Sequence, residues 1–122
     1  MERLKIRGSL LFLPLVIILM LSACTYRLAD LTVISTRNVN LDKVDLDTLP
    51  KTSNIVGRDS KFSILFIPLG IPHLEDAVDD ALQKGGGDIL IDAVIYNEAW
   101  WFLIGQNTIK VKGDVIKTRD TQ

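Results

Sequence analysis

His73-Leu-Glu-Asp-Ala-Val-Asp-Asp-Ala-Leu-Gln-Lys84, then Gly85-Gly86-Gly87, then Asp88-Ile-Leu-Ile-Asp-Ala-Val-Ile-Tyr96: this stretch decides the fold. Leu74, Ala77, Val78, Ala81 and Leu82 recur at helical spacing and make one apolar stripe. Pro72 suits the helix start. Glu75 and Asp76 in the first turn complement the helix dipole, as does Lys84 near its end, and the glycines stop it. Ile89 to Ile95 is apolar on both faces, which predicts an interior strand. A helix with one apolar stripe beside such a strand calls for a helix-on-sheet layer.

Working outward, Glu98 to Ile104 reads as a further strand after a tight turn at Asn97, and Gly105-Gln106-Asn107 as the next turn. From Thr108 to Thr118, Ile109, Val111 and Val115 alternate with Lys110, Lys112 and Asp114, the pattern of an antiparallel strand with one wet face. Its lysines are of the kind that protect a sheet edge. Arg119 to Gln122 reads as a frayed tail. Upstream of the helix, the apolar run Phe62 to Ile67 ends at Pro68-Leu69-Gly70-Ile71-Pro72 and predicts a mostly buried strand. Asn40 to Asp59 is polar and punctuated, a long loop at about 40–60. Its aspartates lack the central glycine and closing glutamate of a calcium loop. Leu28 to Val39, rich in β-branched residues, predicts a first strand. The expected class is therefore α+β: one helix packed on a mostly antiparallel sheet of about four to five strands, forming a single small domain over 24–122 without internal repeats.

Residues 1–23 follow other rules. Arg3, Lys5 and Arg7 precede an apolar run, Ser9 to Met20, that contains Pro14. Even extended to Ala23, the run falls short of the roughly 20 residues a spanning helix needs. Basic start, apolar centre and small-residue end make a secretory signal. The end itself, Leu21-Ser22-Ala23-Cys24, resembles the lipobox of bacterial lipoproteins. That resemblance implies that Leu21, Ser22 and Ala23 are recognised by signal peptidase II and that the chain is cut before Cys24. It also implies a diacylglyceryl group on the Cys24 thiol and an N-acyl chain such as palmitate on the new amine. Two or three acyl chains hold a protein stably on a membrane where one does not. In that class, Thr25 in place of aspartate after the cysteine points to the outer membrane, on its periplasmic face. The chain has one cysteine, so an internal disulfide and a cysteine zinc cluster are both excluded.

The full chain carries a net charge of −1, and loss of Glu2, Arg3, Lys5 and Arg7 with the signal leaves −3. No basic patch remains of the kind nucleic-acid binding requires. His73, the one histidine, would share a face with Asp76 and Asp80, at spacings of three and four, if it lies within the helix. No further histidine or cysteine completes a transition-metal site, so Glu75, Asp76, Asp79 and Asp80 read as a solvated acidic face, His73 as a residue that helps start the helix, and no metal is expected. No G-x-S-x-G turn marks a nucleophile. Gly85-Gly86-Gly87 precedes a strand rather than the helix N-terminus a phosphate cradle needs. No catalytic residue and no cofactor beyond the anchor lipid is therefore expected. Trp100 and Trp101 are adjacent, so on a strand they point to opposite faces. The outward one is a candidate contact for a ligand, a partner or lipid headgroups.

Ala77 to Leu82 and Gly87 to Ile95 together resemble small bacterial envelope lipoproteins of unknown role, including the TRL-like group. The resemblance implies no activity and supplies no site residues. The expected function is a non-enzymatic, membrane-anchored component that binds another envelope protein. The alternative is a binding module for a small molecule, peptide or lipid with a pocket near Trp100 and Trp101.

Overall fold

Four long strands outweigh one packed helix. The computed structural model describes residues 10–18, 23–40, 42 and 45–118. The strands are β1 (Cys24–Ile34), β2 (Lys51–Ile64), β3 (Ile67–Pro68), β4 (Ile89–Trp101) and β5 (Ile104–Ile116). A helix α1 covers 10–18, and α2 spans Leu74–Gly85. The sheet order is β1-β4-β5-β2-β3, and each neighbouring pair is antiparallel. The result is a mostly β domain, a curled half-barrel with one helix on it. This corrects the expected α+β class.

The correction comes from breakers that do not break. Asn97 is not a turn; it lies inside β4 opposite Ile109 and Tyr26. Gly105-Gln106-Asn107 belongs to β5, and the hairpin turns instead at Phe102-Leu103. In an interior strand both neighbours satisfy the backbone, so ladder hydrogen bonds outweigh the local turn preference of asparagine and glycine. Likewise β2 starts at Lys51, so the second half of the expected 40–60 loop is strand, paired along β5 from Lys51–Ile116 to Ile64–Ile104. β5 is the middle strand of the sheet. Its lysines therefore line a wet face rather than guard an edge: Lys110 pairs with Glu98 at 2.5 Å and lies over the Tyr96 ring.

The helix falls where the periodicity predicts. Ala77, Val78, Ala81 and Leu82 are buried against Leu90, Ala93, Ile95, Val111 and Val115. Gly86 takes the left-handed conformation (φ 66°). Its N–H donates to the Gln83 carbonyl and that of Gly87 to Leu82, a Schellman cap. The helix lies mainly on β2 and β5 and approaches closely at Gly57, where a Cβ would stand 2.0 Å from the Ala77 carbonyl oxygen. Asp92, with φ 49°, sits in a bulge between Ile91 and Val94. The extra residue shifts the alternation, so that Leu90 before it and Ala93 and Ile95 after it all join the core.

The core occupies only part of the sheet. A 12-residue helix is about 18 Å long, whereas strands of 13 residues reach about 43 Å. The sheet outgrows its cover, and the uncovered end forms the candidate site.

Candidate functional site

Cys24 is the first residue of β1 and is exposed. Ala23 precedes it without regular structure; Leu21 and Ser22 lie outside the described residues, as do 1–9. In register, Cys24 faces Ala99 and Thr25 faces Glu98. The chain thus enters the sheet at the end where β4 runs out into Trp100 and Trp101.

That end is apolar and open. The run Phe62 to Ile67, expected to be mostly buried, is the main correction here: Phe66 is 78% exposed and Ile67 66%. Phe102, Leu103 and Ile104 at the other hairpin tip are exposed as well. Periodicity carried no warning of this, because burial depends on whether a second layer lies above: α2 covers the face of Gly57, and Phe62 and Ile64 alternate onto the other. The signal that could have revealed it is charge. No charged residue occurs at 62–72 or at 99–109, two uncharged runs that the fold brings side by side.

The two tips are tied together. The Leu65 N–H donates to the Leu103 carbonyl at 3.0 Å, and the Phe66 and Trp101 rings lie 4.2 Å apart, tilted by 31°. The β2–β3 turn is strained: Leu65 and Phe66 have φ 46° and 72°. Tight hairpin turns with two positive φ values favour Asn-Gly. A left-handed residue with a Cβ costs about 1–2 kcal/mol.

Trp100 and Trp101 take opposite faces as expected, but neither joins the main core cluster. Trp100 is 43% exposed, and its Nε1 donates to Gln106 Oε1 at 3.2 Å. Trp101 lies over Gly105, where a Cβ would meet its ring at 2.5 Å. Its Nε1 is buried with no hydrogen-bond partner among the described residues.

Two surface concavities lie away from the tryptophans. One, of about 480 Å³, is a trough between Arg37 and the acidic face of α2, lined by Glu75, Asp76, Asp79 and Asp80 among others. Several of its groups are already engaged. Thr36 donates to Asp79, Asp80 pairs with Lys84, and Arg37 pairs with Asp88 at 2.5 Å. His73 is the exposed residue preceding α2, in extended conformation. It is not part of a face with Asp76 and Asp80, and among the described residues no group of three metal-binding side chains forms. The other concavity, about 260 Å³, lies beside Leu31 and Thr32 of β1 and Ala93 and Val94 of β4.

The sheet's two edges differ. Along β2, side chains of α2 occupy the open backbone. Asp80 accepts the Arg58 N–H at 2.9 Å, and Lys84 Nζ donates to the Val56 carbonyl. Asp59 accepts the His73 N–H at 2.8 Å and pairs with Lys61 at 2.9 Å. The His73 hydrogen bond, foremost, holds the Asp59 carboxyl below its ordinary pKa; burial opposes this and Lys61 adds to it. Along β1, which pairs only with β4 among the described residues, the outer backbone is bare. A bulge at Leu28 and the exposed Arg27–Asp30 ion pair interrupt its first half, while Leu31, Val33 and Ile34 keep one register against Ala93, Ile91 and Leu90.

No family model matches the chain, nor does any curated protein or solved structure.

Proposed function

We propose that this chain is an envelope lipoprotein, anchored through lipid on Cys24, that holds a partner protein rather than turning over a substrate. The observation that carries the anchor is Leu21-Ser22-Ala23-Cys24 at the end of a basic-then-apolar segment, with Cys24 exposed. Thr25 favours the outer membrane, with the domain on the periplasmic side. The observation that favours a protein partner is the bare edge at Leu31–Ile34. An unpaired edge offers a row of backbone donors and acceptors to an extended segment of another chain. The bulge and ion pair nearer Cys24 restrict pairing to those four residues, and the concavity beside Leu31 and Thr32 can take one side chain of the added strand.

In-cell photo-cross-linking tests this reading. A photoreactive residue at Thr32, exposed on the edge strand, is expected to capture one defined envelope protein. The same probe at Lys112, exposed on the middle strand, is expected not to, and Cys24→Ala is expected to abolish the adduct. Equal capture from both positions, or none from Thr32, would reject edge pairing. An unmodified thiol in the mass of the wild-type chain would reject the anchor.

A further inference from the structure

We infer that the apolar end of the sheet is seated in the lipid surface to which Cys24 is tied, so that the domain stands on the bilayer on two hairpin tips. The inference rests on the anchored reading of Cys24 and adds to it an orientation and a contact surface.

Position comes first. Cys24 is opposite Ala99, so the attachment point lies about 5 Å from that residue across the ladder. β4 continues through Trp100 and Trp101 and turns at Phe102-Leu103. At about 3.3 Å per residue, the tip reaches about 10–13 Å past the level of the thiol. Each headgroup layer is about 5–8 Å deep. With Cys24 at the membrane surface, the tip passes through the headgroups to the edge of the acyl chains. An anchor fixed at that end leaves the lipid as the phase these side chains meet.

The chemistry of the end agrees. Phe66, Ile67, Leu69, Phe102 and Leu103 are exposed, and the adjoining runs at 62–72 and 99–109 contain no charge that would have to be desolvated. Trp100 adds an exposed indole, a group favoured at the boundary between headgroups and hydrocarbon.

The strained turn is an independent sign. At Leu65-Phe66 the backbone asks for Asn-Gly, yet the positions hold two large apolar residues that gain little burial within the chain. Such strain at an exposed site points to a contact outside the fold. The Leu65–Leu103 hydrogen bond and the Phe66–Trp101 stack join the tips into one body.

The chain contains two tryptophans, both at this end, so emission excited selectively from tryptophan reports on it alone. The processed protein is reconstituted into phosphatidylethanolamine–phosphatidylglycerol vesicles with or without brominated acyl chains. Quenching by the brominated lipid is expected, with emission shifted to the blue of that in water. In the double variant Phe66→Asp with Leu103→Asp the quenching is expected to be lost while far-ultraviolet dichroism stays unchanged. Quenching that persists in the folded double variant would overturn the assignment to these tips. Should that variant not fold, the wild-type measurement decides alone. Unquenched wild-type emission typical of exposed indole would overturn the proposal. Unquenched but blue-shifted emission with dimers on cross-linking would overturn it in favour of a second copy covering the end. Intact mass reads the anchor separately. A lipidated chain with unquenched tryptophans retires the insertion alone, whereas a bare Cys24 retires the anchored reading and this inference with it.

Discussion

The two ends of this sheet are built from the same strands and obey opposite rules. In β4, Ala93 and Ile95 are buried under the helix, while Trp101, six residues on from Ile95 and on the same face, lies outside that core. In β2, Gly57 is pressed against the helix, while Phe62 and Ile64, which alternate onto the other face, are exposed. At the covered end, charges surround an apolar core: Asp59, Asp80 and Lys84 bond to the backbone around the helix. At the other end, apolar side chains face outward and the runs at 62–72 and 99–109 carry no charge. The contrast teaches that strand length and helix length are independent choices. Burial stops where the shorter element ends, and whatever lies beyond is available for contacts outside the domain.

The same substitution made at both ends tests this most sharply. Leu82→Ala, at a fully buried position, is expected to cost about 2–5 kcal/mol in chemical denaturation. Leu69→Ala, at an exposed one, is expected to stay within about 0.5 kcal/mol. Equal costs would mean that the apolar end is buried in solution.

A second test is electrostatic. Asp59→Ala removes the acceptor for the His73 N–H and the partner of Lys61, with an expected cost of about 1–2 kcal/mol at neutral pH. The folded-state pKa of Asp59 lies below its ordinary 3.8. Its contribution is therefore fully present above that value and fades as pH falls through the folded value. The wild-type advantage over Asp59→Ala should be flat near neutrality and shrink below about pH 4. An advantage that does not change with pH would assign the effect to packing.

The smallest effect is expected at the strained turn. Leu65→Asn places a residue tolerant of positive φ at an exposed position, and a gain of about 0.5–1 kcal/mol is expected in thermal unfolding. A loss would show that the Leu65 side chain is packed, and would weaken the picture of an open tip.

What the sequence revealed and what it concealed divide along the same line. The helix from Leu74 and its glycine stop were legible because periodicity, first-turn acids and Gly85-Gly86-Gly87 are local signals. The alternation of Ile109, Val111 and Val115 was legible for the same reason. Asn97 and Gly105 misled because their turn preference is local, while the ladder that holds them in β4 and β5 is not. Lys51 to Asp59 looked like loop because polar residues dominate it; pairing with β5 makes it strand. Phe62 to Ile67 looked buried because an apolar run does not say which phase will receive it. The opposed faces of Trp100 and Trp101 followed from adjacency alone. Their nearness to Cys24 is a property of strand order and could not be read from positions 24 and 100.

Because Cys24 is itself a ladder residue of β1, a lipid on it, as proposed, would be joined to the folded domain without slack. The ladder bonds lie across the strands. A pull entering through Cys24 along β1 would therefore stretch the whole β1–β4 row together, from Cys24–Ala99 to Ile34–Leu90, instead of opening it one bond at a time. Under the proposed anchoring, such a domain would be fastened like a lap joint rather than a zip.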